Sequence, residues 1–173
     1  MRRLAALAVL ALAACGNFDG DLAGVPLGID IHGLTADQIG KVQVVVLSHG
    51  TNHSCVDLRF TCVRGQVIKQ SGSPIDDLVK LRDDAGKEHN ALVFDVDAAQ
   101  LTSAKGQTFQ ARMAPGSNYM VVVEVLSKDA APTVLASGCS NVLSQVGGGQ
   151  NAPAAVKALA LAEPLTCNAL IEK

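Results

Sequence analysis

The chain has 173 residues, 49% of them hydrophobic and 3% aromatic, with 14 basic and 16 acidic side chains for a net charge of −2. That balance offers no basic patch, which excludes nucleic-acid or anionic-lipid binding driven by charge. The length suits one domain with a true core, an aliphatic one, since tryptophan is absent and the only rings are Phe18, Phe60, Phe94, Phe109 and Tyr119.

In chain order, Arg2 and Arg3 form a positive start, and Leu4 to Ala14 an unbroken apolar run. The run is shorter than the roughly 20 residues a bilayer-spanning helix needs, and it suits a secretory signal. It stops at Leu12-Ala13-Ala14-Cys15, which resembles the lipobox of bacterial lipoproteins. The resemblance implies cleavage before Cys15, a diacylglycerol on its thiol and a fatty acyl group such as palmitate on the new amino terminus. Gly16 stands where aspartate would signal inner-membrane retention, so the resemblance leans toward the outer membrane. Loss of residues 1–14 removes two basic side chains and no acid, leaving 12 against 16, a net charge of −4. The run from Gly16 to Gly24 carries few structural signals and reads as a tether. No later apolar segment is long enough to span a bilayer, so the lipid would be the only anchor. The expected organisation is a signal at 1–14, a lipidated cysteine and tether at 15–24, and one domain at 25–173.

Within that domain the apolar pattern has mostly period two, the signature of half-buried strands. Leu27, Ile29 and Ile31 alternate with polar neighbours; Thr35 to Ile39 suits one capped helical turn; Lys41 to Ser48 is β-branched and continuous. Residues 49–62 read as a loop, Gln66–Lys69 as a short strand and Ser71–Pro74 as a turn. A hairpin is expected from Val79–Asp83 and Ala91–Val96 around Asp84-Ala85-Gly86-Lys87. Residues 97–107 suit a helical turn or a crossover. Strands are then expected at Thr108–Met113, Tyr119–Ser127, Thr133–Ser137 and Ala155–Ala162, with a flexible loop at Gly147–Asn151. About eight short strands without a βαβ rhythm predict an all-β fold, a single antiparallel β-sandwich. PGSNYMVVV (Pro115 to Val123) resembles the turn-into-strand of Ig-like, transthyretin-like and carboxypeptidase-regulatory-like modules. With ASGC (Ala136 to Cys139) and a further cysteine near the C-terminus, the chain is similar to small envelope lipoproteins of Gram-negative bacteria.

Beyond Cys15 there are four cysteines, Cys55, Cys62, Cys139 and Cys167. An exported chain meets an oxidising space, so two disulfides are expected, with three possible connectivities. The sequence-local pairing, Cys55–Cys62 and Cys139–Cys167, is the one favoured here.

The sharpest chemical constellation is His49-Gly-Thr-Asn-His53-Ser-Cys55, two imidazoles and a sulfur that could take zinc or copper with Cys62 or His32. An oxidised Cys55 cannot serve as a thiolate, and the favoured reading is a disulfide-closed polar loop with no metal. The pairs Asp76-Asp77, Asp83-Asp84 and Asp95-x-Asp97 match no calcium loop. No G-x-S-x-G elbow occurs around Ser48, Ser117 or Ser140, and Gly147-Gly148-Gly149 lacks a phosphate-loop lysine. Ser48 and His49 are neighbours, which on a strand face opposite ways. The expectation is therefore a lipid-anchored, non-catalytic structural or interaction module. It has no cofactor beyond the lipid on Cys15, and it presents the 49–62 loop or a sheet edge to another envelope protein. The alternatives are a metal-binding module using His49 and His53, or a surface glycan- or peptide-binding module.

Overall fold

The computed structural model describes residues 22–60, 62–63, 77–96 and 108–166. The signal, Cys15, most of the tether, the strand expected at Gln66–Lys69, the Ser71–Pro74 turn, the 97–107 crossover and Cys167 lie outside the described residues.

Among the described residues the fold is all-β, with a 3-10 turn at Gly50–Asn52 and one short α-helix. The strands are β1 (Ala23–His32), β2 (Ile39–Leu47), β3 (Leu81–Arg82), β4 (Glu88–His89), β5 (Leu92–Asp95), β6 (Thr108–Met113), β7 (Met120–Ser127), β8 (Val134–Cys139), β9 (Gly149–Gln150) and β10 (Ala154–Leu165). Helix α1 spans Cys55–Phe60. All ten strands belong to one sheet in the order β4-β3-β6-β1-β10-β8-β7-β2-β5, with β9 beside β1. Every pairing is antiparallel except β1 with β10 and with β9. These strands come from opposite ends of the chain, so no hairpin dictates their relative direction.

The sheet curls almost into a barrel. Leu78 and Val79 pair with the end of β2, where Val79 N donates to Val46 O at 2.9 Å. The same stretch then runs on as β3 against β6, with Leu81 opposite Met113. At the other end of the seam the Phe94 and Phe109 rings meet, centroids 4.8 Å apart and tilted by 50°.

The period-two pattern explains the core. Val42, Val44 and Val46 of β2, Val121 and Val123 of β7, Leu27 of β1 and Val156 of β10 point inward and pack into one aliphatic cluster. Each buried side chain of this size contributes about 1.5–3 kcal/mol. The alternate residues of β2 and β7, Val45, Leu47, Met120 and Val122, point outward. They are buried as well, because Leu58 of α1 and Val63 lie over them. That cover is why Lys41–Ser48 reads as continuously apolar.

Several expectations are revised. β1 begins at Ala23, inside the stretch read as tether, because Ala23 is fully buried between Met113 and Gly149. The hairpin from Val79 closes on β4 instead of on Ala91–Val96: Gly86 takes a positive φ of 80°, and Asp83 Oδ1 accepts from the backbone of Ala85 and Lys87. Leu92–Asp95 becomes β5 and pairs with β2. The Gly147–Asn151 loop is pinned, since Asn151 Nδ2 donates to the carbonyls of Gly24, Gly147 and Gly149. Gly149 and Gln150 thereby add a short strand to β1.

One glycine marks a close approach between strands. A Cβ on Gly138 of β8 would fall on the backbone carbonyl of Lys157 in β10. Gly138→Ala should lower the unfolding free energy by about 2 kcal/mol, through forced separation of the two strands. Urea denaturation checks this, and an unchanged midpoint would show that the strands part without cost.

Candidate functional site

Strand direction decides which loops share an end of the barrel. β1, β3, β5, β7 and β10 run one way, and β2, β4, β6 and β8 the other. The end of β2, the turn from β6 into β7, the end of β8 and the starts of β1 and β10 therefore form one rim. Its loops are knitted to each other. Gly50 N donates to Asn118 O at 2.6 Å, Thr51 N donates to Asn118 Oδ1 at 3.0 Å, and Asn118 Nδ2 donates to Thr51 Oγ1 at 3.1 Å. Residues 143–146 pair back onto Gly116 and Tyr119. His49 (φ 52°) and Asn118 (φ 60°) both hold left-handed backbone, uncommon outside glycine but enriched in asparagine and histidine.

That conformation builds the most concentrated group of titratable side chains on the rim. His49 Nδ1 lies 3.0 Å from Asp77 Oδ1, and His53 Nε2 lies 3.5 Å from Asp77 Oδ2. Ser48 Oγ, expected to face away from His49, lies 3.3 Å from the same Nδ1 and donates to Asp77 O at 3.1 Å. The left-handed turn at His49 breaks the strand alternation and swings the ring back. A nucleophilic triad needs serine on one imidazole nitrogen and the carboxylate on the other. Here Ser48 and Asp77 meet at Nδ1 alone, so the trio does not have the geometry of a Ser-His-Asp relay.

The two histidines singled out in the sequence are thus brought together, around a carboxylate that sequence reasoning did not link to them. The carboxylate sits between the rings, and among the described residues no group of three or more His, Cys, Asp or Glu side chains converges as a metal ion requires. His32 is elsewhere, 2.6 Å from Asp30 at the far end of β1. Cys55 is bonded to Cys139, with Cα atoms 5.7 Å apart. This corrects the favoured local pairing: α1 lies across the end of β8, so the spatial neighbour of Cys55 is 84 residues away instead of seven. Cys62 is disulfide-bonded too, so its sulfur is likewise not a thiolate. Both ends of the α1 segment are therefore cross-linked.

The remaining acidic pairs have cationic or backbone partners. Asp83 holds His89 at 2.9 Å, Asp84 faces Arg112 at 3.5 Å, and Asp95 faces Lys41 at 3.3 Å. The His89 hydrogen bond, aided by those from Lys87 and Ala85, holds the Asp83 carboxyl below the usual carboxylate range. The described rings belong to the core: Phe109 is buried, Phe94 packs on it, and the Tyr119 hydroxyl donates to Ala114 O. None of them forms an exposed platform for a sugar face.

At the opposite rim, Gly40, Lys41, Ser127, Lys128, Asp129 and Pro132 line an open trough of about 370 Å³. On the outer face, beneath Val63, lies a row of polar side chains. Glu124 Oε2 accepts from Gln43 Nε2 at 2.8 Å, and Oε1 accepts from Val63 N at 2.9 Å. Glu124 and Gln43 are almost wholly buried, and burial pushes the Glu124 carboxyl up from its ordinary range despite both hydrogen bonds. Ser137, opposite Glu124 on β8, keeps a buried hydroxyl without a hydrogen-bond partner.

Comparison of the chain with protein-family models, with curated proteins and with solved structures finds no match.

Proposed function

We propose that this chain is a lipid-anchored cell-envelope protein, held at the outer membrane through Cys15, whose disulfide-tied β domain serves as a non-catalytic interaction module for another envelope protein. The observation that carries the reading is the run Leu12-Ala13-Ala14-Cys15 behind two arginines and an apolar stretch of signal length. The Cys55–Cys139 bridge supports it, because such bonds persist in oxidising compartments such as the periplasm. A non-catalytic role is supported by the single-nitrogen arrangement at His49 and by the partners that the described acidic side chains already hold. A sandwich-like reading of the fold, in the manner of Ig-like or transthyretin-like modules, rests on the way β5-β2-β7-β8 and β10-β1-β6-β3 face each other across one core.

The test is expression of the full chain in a Gram-negative host, with Cys15→Ser beside it. The parent should sediment with membranes and yield an amino-terminal peptide that begins at residue 15 and carries the mass of its acyl chains. The variant should lose the acyl mass and leave the membrane fraction. Two acyl chains or more are needed for firm attachment, since each buried methylene adds about 0.8 kcal/mol. An unmodified amino terminus at residue 15, or residues 1–14 still present, overturns the reading.

A further inference from the structure

We propose that the rim carrying His49, Thr51, Ser117 and Asn118 is the face of the domain that rests against lipid headgroups, while the opposite rim with Lys41, Lys128 and Asp129 faces away from the membrane. The proposal rests on the anchoring reading above and adds an orientation to it. It starts from where the described chain begins. β1 opens at Ala23, paired with Met113 at the end of β6 and with Gly149 just before β10. The tether therefore enters at the rim formed by the end of β2 and the start of β7, not at the far one.

Chain length then limits the geometry. Eight peptide steps separate Cys15 from Ala23, so these residues are at most about 27 Å apart whatever the conformation between them. The ten residues of β1 span about 33 Å. Tilted by about 40° against the barrel axis, β1 rises about 25 Å, so an inverted domain would need nearly all of that reach, while the near rim meets the bilayer with the tether slack.

The loops differ in charge in the same sense. Three of the loops at the near rim, residues 48–54, 114–119 and 140–153, contain no lysine, arginine, aspartate or glutamate. Among the described residues, charge at this end stands to one side, with Asp77, Lys80, Arg82 and Arg112 around the start of β3, and at Asp57 on α1. Among the described residues the most exposed large apolar side chain, Val56 at 62%, also lies on α1 next to this rim. The far end instead carries Asp30, Asp37, Lys41, Asp95, Lys128 and Asp129. Uncharged polar loops lose little on approaching a headgroup layer, whereas a carboxylate or ammonium group drawn out of water pays heavily. Tether entry and the three uncharged loops point to the same face.

The experiment uses the lipidated mature protein reconstituted into vesicles of phosphatidylethanolamine with phosphatidylglycerol. A photoreactive side chain replaces one exposed residue at a time: Thr51 or Ser117 on the near rim, Asp129 or Ala131 on the far rim. After irradiation, mass spectrometry reads lipid adducts at each position and the modification of the amino-terminal peptide in the same sample. Near-rim positions should capture lipid severalfold more than far-rim ones. Equal or reversed capture with a diacylated amino terminus overturns the orientation alone. An unmodified terminus overturns the anchor and the orientation together.

Discussion

Replacing Cys55 and Cys139 together with serine should lower the free energy of unfolding by about 4.5 kcal/mol, the loop-closure value for a bridge across 84 residues. The bridge fastens α1 to the end of β8, and α1 covers the outward side chains of β2 and β7 through Leu58. Without it, the α1 segment is tied at the Cys62 end alone. The loss should therefore be accompanied by faster amide exchange at Leu58, whose N–H donates to Ser54 O at 3.0 Å. Urea denaturation of the double variant beside the parent measures the first effect, and hydrogen exchange the second. A loss below about 1 kcal/mol would mean that packing of Leu58 and Val63 holds the segment without the bond. A sequence-local Cys55–Cys62 bridge would close a far shorter loop, so the size of the loss also discriminates the observed pairing from the expected one.

That pairing shows where sequence reasoning stops. Local signals were readable: the alternation of Leu27, Ile29 and Ile31, the valine runs of β2 and β7, and the turn around Asp84–Lys87 all report backbone geometry within a few residues. Contacts made across the chain were not. Nothing near Cys55 points to Cys139, and nothing near Leu27 announces a parallel partner at Ala154, because both depend on how the sheet curls. The expected pairing of Val79–Asp83 with Ala91–Val96 fails because the chain reverses again at Asn90 and Ala91, with no glycine or proline to mark the change of direction. At the rim, the spacing of His49 and His53 was visible, but Asp77 joins them only because Leu78 pairs with the end of β2. The left-handed backbone at His49 had no sequence signal, as glycine or asparagine is the usual occupant. Asn151 was read as part of a flexible loop. Its amide is the pin, and a single asparagine beside three glycines was the available clue.

Glu124→Ala should cost about 3–5 kcal/mol of stability, whereas Glu124→Gln should stabilise the protein at neutral pH. Removing the side chain leaves the Val63 N–H and a Gln43 amide hydrogen without their acceptor in a dry site, at about 1–3 kcal/mol for each, and opens a cavity. Glutamine keeps the volume and an acceptor for Val63 while deleting a charge that burial opposes, and its N–H finds an acceptor once the Gln43 amide turns its oxygen toward it. The sign with pH follows from the raised carboxyl. A group whose folded pKa lies above its unfolded value contributes stability that is present with the carboxyl protonated, and that stability is lost as pH rises through the folded value. Asp83 works in the opposite sense: its lowered carboxyl contributes stability above the ordinary carboxylate range and loses it as pH falls through the folded value. Melting temperatures of parent and Glu124→Gln, taken from acid to mildly alkaline pH, should therefore lie close together in acid and diverge in favour of the variant as pH rises. Glu124→Gln leaves Asp83 in place, so both proteins should share the same loss at the acid end. A constant gap across the range would show that Glu124 titrates in the folded protein as it does in the unfolded chain, its two hydrogen bonds balancing desolvation.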